Sequence, residues 1–593
     1  MNQNASPKFE ILSLFEKGQS EKLLNLDRLL LAALTLVYAI IALLNLGTLS
    51  FPTTVYEGAV GDSFTLDFGE TVDVDEVWFN GNIAQGTLRF VCDDGSEDEY
   101  TQDQGDMFKW HEESLSFTTR YLRVEVVDRA VAINEVAFFS DGELLPVTVA
   151  AGEARDLVDE QDTVPDAPSY FNGMIFDEIY HARTAYENIH NMSVYEWTHP
   201  PLGKLIIALG VLIFGMKPFG WRIMGALFGV AMVPLMYVFA KRIFKRTDFA
   251  FITAGLWAFD CMHFTQTRIA TIDVYGVFFI LLMFFFMYEY VRQDYFAAPL
   301  KNKFRPLALS GVAFGLGCAS KWIGCYAGAG LAVVLFYHLL TALFEAYKGH
   351  DEGAAARRSL FWKRLWATAG WCCLWFLLVP GLIYFASYFP YYRYEASLRL
   401  NYGLRDMWAT LLKNQKDMYG YHSDLTATHM CQSMWYQWPF TFKSVWFYVS
   451  GNGEKISNIA STGNPAVWWI SSVGAVCLFL EWVLGKVKRD PVLPILFVGV
   501  AANYLPWVLV TRCVFLYHFF ATVPFILLST VYLFFLLERE NRKMHWVKWA
   551  WLGLAVLYFI LLYPAISGLP TGYGYAGFLE NVLPASVLYY GWV

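Results

Sequence analysis

Charge is scarce in this chain. Asp, Glu, Lys and Arg make up 16% of its 593 residues, where a soluble domain carries about a quarter. That shortage excludes a wholly soluble protein, because long apolar runs such as Phe278–Met287, Leu331–Leu340 and Val547–Leu562 take the place of charge. Runs of roughly 20 apolar residues span a bilayer, and shorter ones belong to buried helices. Cysteine is also sparse. The nine cysteines lie mostly in apolar segments and none forms a CxxC pair, so neither a disulfide framework nor a cysteine metal site is expected. A cleavable signal is missing too. Met1–Gln19 is polar, and no small-residue cleavage site follows the apolar stretch Leu29–Leu46, which reads as a retained first helix.

What is present is hydrophobic and aromatic: 56% and 18% of residues. Trp and Tyr favour the two membrane interfaces. Length and apolarity predict about eleven spans, near 29–46, 223–240, 248–264, 273–291, 306–322, 324–346, 365–388, 465–485, 492–510, 515–537 and 547–565. Five loops are basic: Lys241–Arg246, Lys301–Arg305, Arg357–Arg364, Lys486–Arg489 and Arg539–Lys548. With eleven spans these loops fall on the side of the N-terminus, which the positive-inside rule makes cytoplasmic. The tail Ser567–Val593 is then expected outside.

The long segment after the first span is expected outside as well. Residues 51–150 carry strand-like alternation in SFTLDF, DEVWFN, TLRFV, YLRVEVV and INEVAFF, separated by Gly and Asp turns. This reads as a small β-sandwich. Residues 51–170 hold 27 Asp and Glu against 6 Lys and Arg, a solvated surface that should stand off anionic lipid. The sandwich is expected to fold autonomously, with Ala150–Pro168 as a linker. Trp78 and Trp110 are its candidate exposed glycan stackers, although Trp78 sits in a strand pattern. Residues 151–222 supply that linker and two juxtamembrane helices flanking the turn HPPLGK. The remaining division is 1–50 for the N-terminus and first span, 223–388 for spans, 389–464 for an outer loop, and 465–593 for the last spans and tail.

Asp177 and Glu178 open the first juxtamembrane helix. Adjacent helical residues point about 100° apart, so the two carboxylates cannot face one ligand. Asp177, His181 and Thr184 share a face by spacing. Arg222, Arg268, Lys321 and Arg512 lie near the outer ends of spans, where the positive-inside rule expects few cations. A cluster of cations beside an anionic lipid headgroup would explain them. Alternatively, Arg268 and Asp273 pair with each other at the interface. A sugar leaving a phosphate carrier leaves negative charge for Arg or Lys to stabilise, and an acceptor hydroxyl needs a base. An outer carboxylate with cations at the same level meets both needs.

Asp177–Glu178 followed by HPPLGK (His199–Lys204), GWR at 220–222, QTRIATID at 266–273, SKW at 320–322, HSDLTATHMCQSMWYQWP at 422–439 and LPW…TRCVFLYHFF at 505–520 resembles the protein O-mannosyltransferases. The resemblance covers nearly all the membrane portion, in order. It implies the GT-C fold, a polytopic helical membrane bundle with an extracytoplasmic β-sandwich inserted here. It implies a polyprenyl-phosphate-mannose donor, Ser or Thr acceptors on proteins, and neither cofactor nor obligatory metal. Carried over, Asp177 matches the catalytic base, Glu178 its essential neighbour and Arg222 an essential arginine. Arg222, Arg512, Arg268 and Lys321 are the expected donor-phosphate residues, and His181, His199, Lys204, Asp273, His422 and His429 the expected substrate-positioning residues. The sequence departs from the family pattern in its acidic first-loop domain, whose end resembles discoidin-like jelly rolls, and in a 389–464 loop too short for a β-trefoil. Membrane lipid and a donor are therefore the expected partners, nucleic acid is not, and a glycan ligand of the β-domain competes with a purely structural module. The competing readings are a GT-C enzyme with a lipid or cell-wall glycan acceptor, and a transporter with a sensor domain.

Overall fold

The computed structural model describes residues 20–348, 353–451, 453–487 and 490–582. Met1–Gln19, the basic pair Lys488 and Arg489, and the last part of the tail lie outside the described residues. The chain divides into two compact units. One comprises Asn45–His190 and Ile207–Met224; the other comprises Met1–Leu44, Asn191–Ile206 and Gly225–Val593.

The first unit contains two antiparallel five-stranded sheets. Strands β1 (Tyr56–Gly58), β8 (Val131–Ser140), β3 (Glu76–Gly81) and β6 (Trp110–Glu113) lie side by side in one, with β9 (Glu143–Leu144) on β8. The other runs β10 (Thr148–Ala151), β2 (Ser63–Val74), β7 (Phe117–Val126), β4 (Thr87–Val91) and β5 (Glu97–Thr101). Period-two alternation sends Val77, Phe79, Val136 and Phe138 from the first sheet, and Leu66, Leu88, Phe90, Leu122 and Val124 from the second, into one shared core. All five strand patterns seen in the sequence fall on strands.

The second face of the first sheet is also covered. Trp78 and Trp110 are 6% and 3% exposed and pack with Ala137, Phe139 and Val164. They are therefore not free to stack on a glycan. The covering segment is the one expected to be a linker. Ala154 and Leu157 join the sandwich core. The Glu160 carboxylate accepts the backbone N–H of Thr53 and Thr54. Gln161 donates to Glu135 and to the Val136 carbonyl. Ala150–Pro168 is thus part of the folded domain, because its apolar residues and side-chain acceptors have partners on the sandwich.

In the second unit, helices dominate. Among the described residues eight helices are long and apolar enough to cross a membrane: Asn25–Leu43, Pro218–Phe244, Asp273–Val291, Ile323–Lys348, Ala354–Ser387, Pro465–Val483, Val492–Leu509 and Met544–Ser567. Each of the other three predicted spans also falls on helix. Thr247–Ala258 stops at Asp260, whose carboxylate caps the short helix Cys261–Thr267 and also accepts from Asn464 N and Trp468 Nε1. Leu300–Ser320 begins with Lys301, Lys303 and Arg305, and Val523–Glu540 ends on Glu538, Arg539 and Glu540. The loop after the seventh predicted span holds a helical hairpin, Phe389–Leu398 and Leu404–Asp424, and two strands, Val445–Gly451 and Lys455–Ser461.

Many cations of the basic loops are paired. Lys241 meets Asp27 at 2.9 Å with both side chains fully buried. Arg246 and Lys548 share Asp248 and Glu538. Lys245 and Arg292 share Glu21. Paired in this way, charge at a helix end avoids the cost of isolated burial.

Candidate active site

In the first unit the focus is the start of the helix Glu178–His190. Phe176 takes a left-handed φ of 48°, which turns the chain sharply into Asp177. The Asp177 carbonyl accepts from Tyr180 and His181 N, closing the first turn. Glu178 is 0% exposed, whereas Asp177 is half-buried. The two carboxylates have different surroundings, as their angular separation requires.

Glu178 faces Arg222, itself 1% exposed. Glu178 Oε1 accepts from Nε at 2.7 Å and Oε2 from Nη2 at 2.6 Å, a two-pronged fork. Oε2 also accepts from Ile175 N at 3.0 Å. The other guanidinium N–H groups donate to the carbonyls of Leu46 (3.1 Å), Tyr170 (2.7 Å) and Gly173 (2.9 Å). All five N–H donors of an arginine are thereby used. This corrects the expectation that Arg222 binds phosphate: its donors are taken and its charge is neutralised inside the unit. His181 and Thr184 are buried as well. Burial removes His181 from the surface where a substrate-positioning side chain belongs.

The same helix rests on the β-domain. Phe108, in the turn before β6, has a φ of 53° and is 1% exposed. Its N–H donates to the Gly81 carbonyl in β3, and its own carbonyl accepts from Met174 N, three residues before Asp177. Its ring packs on Tyr186 of the helix, with centroids 5.2 Å apart. A side chain at Gly173 would collide with Lys109 Cβ at 2.6 Å, so glycine permits this close approach.

The second unit holds the HPPLGK turn. Lys204 is 0% exposed and donates to the Glu196 carboxylate (2.5 Å), the Glu196 carbonyl (2.5 Å) and the His199 carbonyl (2.9 Å). An ammonium has three donors, so Lys204 clamps the turn and does not reach a substrate, contrary to expectation. Pro201 precedes the helix Leu202–Phe214, where a missing N–H costs nothing. A side chain at Gly203 would strike Ile272 Cγ2 at 2.7 Å, so glycine lets the turn meet the QTRIATID segment.

Around this turn stand His199, His422, Lys321 and Arg512. His199 Nδ1 lies 3.0 Å from Glu196 Oε1. His422 Nε2 donates to the Thr198 carbonyl at 2.9 Å, and the two imidazoles sit 5.2 Å apart. Burial holds both rings below the usual histidine range, and Lys321 adds repulsion to both. His422 is pushed down to about 4, with His199 and Arg512 contributing after burial. Lys321 bonds Asp273 at 2.7 Å and approaches the Tyr517 ring. Asp273 therefore pairs with Lys321 and not with Arg268. Arg268 donates to the Leu44 carbonyl at 2.7 Å and covers Phe264. His429 Nδ1 accepts from Cys431 N and its ring meets Phe515, which makes it a loop fastener.

His518 was not singled out by sequence reasoning. Its ring stacks with Trp438 and Tyr517 and lies 4.3 Å from Trp507. Its signal in the sequence is a lone histidine in the aromatic run six residues after Arg512, within TRCVFLYHFF itself.

Two family models match the chain. "Dolichyl-phosphate-mannose-protein mannosyltransferase" matches residues 212–392, and "C-terminal four TMM region of protein-O-mannosyltransferase" matches residues 407–583. The polyprenol-phosphate-mannose–protein mannosyltransferase of Mycolicibacterium smegmatis is 28% identical over 461 residues, covering 67% of this chain and 84% of that protein. Its counterpart from Mycobacterium tuberculosis is 27% identical over 459 residues, covering 67% and 83%. Among solved structures, the Saccharomyces cerevisiae protein O-mannosyltransferase Pmt1-Pmt2 complex bound to the sugar donor aligns with a TM-score of 0.58 at 14% identity, covering 69% of this chain and 89% of that chain. That likeness establishes the GT-C fold.

Proposed function

From a chain that belongs to the protein O-mannosyltransferase family, and is thus a membrane mannosyltransferase, we propose an enzyme that transfers mannose from a polyprenyl-phosphate carrier to Ser or Thr hydroxyls of proteins. Asp177 is the general base. It takes the hydroxyl proton as the acceptor oxygen attacks the anomeric carbon opposite the phosphate. The carbon–oxygen bond to phosphate breaks, its electron pair stays on the carrier phosphate, and the anomeric centre inverts. Lys321 and Arg512 offset that developing charge. His199 and His422, held neutral, hydrogen-bond without adding charge of their own. The reaction faces the extracytoplasmic side, in keeping with basic loops on the N-terminal side of the predicted spans.

One observation carries this reading: Asp177 is half-buried beside a fully buried, fully bonded Glu178–Arg222 pair. Such a pair orients a neighbouring group and has no capacity left to bind substrate. Asp177→Asn keeps the shape and removes the proton acceptor. Turnover should fall by roughly 10²-fold or more while donor binding is retained. Near-normal turnover with a labelled donor and acceptor peptide would reject the assignment.

The β-domain, in the same reading, braces the Asp177 helix through Phe108. The burial of Trp78 and Trp110 argues against a glycan platform on that face.

A further inference from the structure

The hairpin Phe389–Leu398 and Leu404–Asp424 starts two residues after the apolar helix Ala354–Ser387 ends. Its tip, which also holds Arg399 and Asn401, opens three leucines to the outside: Leu400 is 97% exposed, with Leu398 and Leu404 exposed beside it. At about 100° per residue, the helix Leu404–Asp424 sorts its side chains into four arcs. Leu411, Asn414 and Met418 are buried. Next come Leu404, Trp408, Leu412 and Tyr419, all exposed. Arg405 and Lys416 border that row, and Asp406 and Asp417 lie beyond them. A solvated helix would place charge where Leu412 and Trp408 stand.

The apolar row continues onto the preceding span. Trp408 packs on Phe385 with centroids 4.8 Å apart, and Leu377, Leu378 and Leu382 of that span are exposed. One apolar surface therefore runs from a helix fit to cross the bilayer onto the hairpin. Arg405 and Lys416 border it, and Asp406, Asp417 and Lys413 lie on the far arc.

We propose that this hairpin is a membrane-surface element, seated in the phospholipid headgroup layer with Leu400, Trp408 and Leu412 in the acyl boundary and Arg405 and Lys416 at lipid phosphates. An amphipathic helix with Lys or Arg beside its apolar face binds a bilayer in this way. The hairpin is also bonded to the motif turn: Asn414 Nδ2 donates to the Trp197 carbonyl at 3.2 Å, and His422 to that of Thr198. Tyr388 and Tyr384 of the adjoining span tie Asn414 and Gln415 in place at 2.6 Å each. The hairpin thus sets the depth of the HPPLGK turn relative to lipid phosphate. That consequence rests on the proposed lipid-linked donor; the seating does not.

The test uses the full chain in nanodiscs of equal phosphatidylcholine and phosphatidylglycerol. Leu400→Cys, Leu412→Cys and Asp417→Cys variants, with exposed native cysteines Cys325, Cys373 and Cys477 replaced, carry an environment-sensitive dye. Dyes at 400 and 412 should be quenched by nitroxide lipids and shielded from aqueous iodide, and the dye at 417 should show the reverse. Iodide access at 400 and 412 overturns the proposal. Shielding from both quenchers also overturns it, since protein would then cover the face. In liposomes, Leu400→Glu with Leu412→Glu should raise KM for a long-chain donor several-fold and leave turnover of a short-chain donor in detergent unchanged. An unchanged long-chain KM alongside confirmed lipid quenching removes the depth-setting role alone. An inactive parent protein with normal quenching would count against the catalytic reading and not against the seating.

Discussion

Arg222 carries a charge that its own unit consumes. Removing it should leave the Glu178 carboxylate buried without its arginine counter-charge, at a cost of about 3–5 kcal/mol. Arg222→Met is therefore expected to lower thermal stability sharply, and Arg222→Lys to lower activity without raising donor KM. Lys321→Met should do the opposite, raising donor KM more than it lowers stability; steady-state kinetics beside a melting curve check both. That Asp177 and Glu178 point apart was legible from backbone geometry; which of the two is buried was not. The role of Arg222 was not, because its carbonyl partners Leu46, Tyr170 and Gly173 lie far from it in sequence. A second residue-scale prediction concerns Glu135, whose carboxyl is pushed up to about 8, chiefly by burial, with Asp159 and Glu160 adding repulsion. Between the ordinary value of 4.5 and about 8 the native state holds a proton that the unfolded chain has lost. This group's contribution to stability is therefore greatest in acid and declines as pH rises through that window. Glu135→Gln should flatten the decline, read as a smaller drop in melting temperature between about pH 5 and about pH 8.

The β-domain's strands were readable as alternating patterns because one face of each sheet meets a single core. Its integration was not readable, since Ala150–Pro168 is polar in composition and its bonds run to distant residues such as Glu135 and Thr54. Sequence alone pointed to an autonomously folding sandwich on a linker, separate from the transfer chemistry. The contacts of Phe108 with Gly81, Met174 and Tyr186 point the other way. Deleting 55–150 should abolish transfer to simple and natural acceptors alike. Because such a deletion can also unfold the unit, Phe108→Gly is the sharper variant: it suits the left-handed backbone and removes the ring. Loss of this buried ring should cost about 3–5 kcal/mol, so turnover is read well below the lowered melting temperature, where it should still fall several-fold. Full turnover in that variant would leave the domain without a bracing role. The hairpin after Ser387 was likewise hidden, as its apolar residues are too dispersed to register as a span.

At the scale of the molecule, each predicted span falls on an apolar run, while charges at Asp260, Lys301–Arg305 and Glu538–Glu540 explain why eight helices among the described residues qualify as long and apolar. The family match excludes the transporter reading. The proposed orientation makes a simple prediction: in intact cells a membrane-impermeant thiol reagent should modify Asp141→Cys, on an exposed strand turn, and should reach Lys543→Cys only after lysis. The reverse pattern would invert the topology. The arginine fork also bears on how the protein is made. The carbonyls of Leu46, Tyr170 and Gly173 and the Glu178 carboxylate all leave the ribosome before Arg222 is synthesised. Until the start of the next span emerges, Glu178 and these carbonyls lack the guanidinium that joins them. A nascent chain arrested before Arg222 should therefore stay protease-sensitive around Tyr170–Glu178, while the sandwich, with its own core, resists. In the proposed reading, closure of the Asp177 turn is thus timed by the arrival of the helix Pro218–Phe244, which carries Arg222.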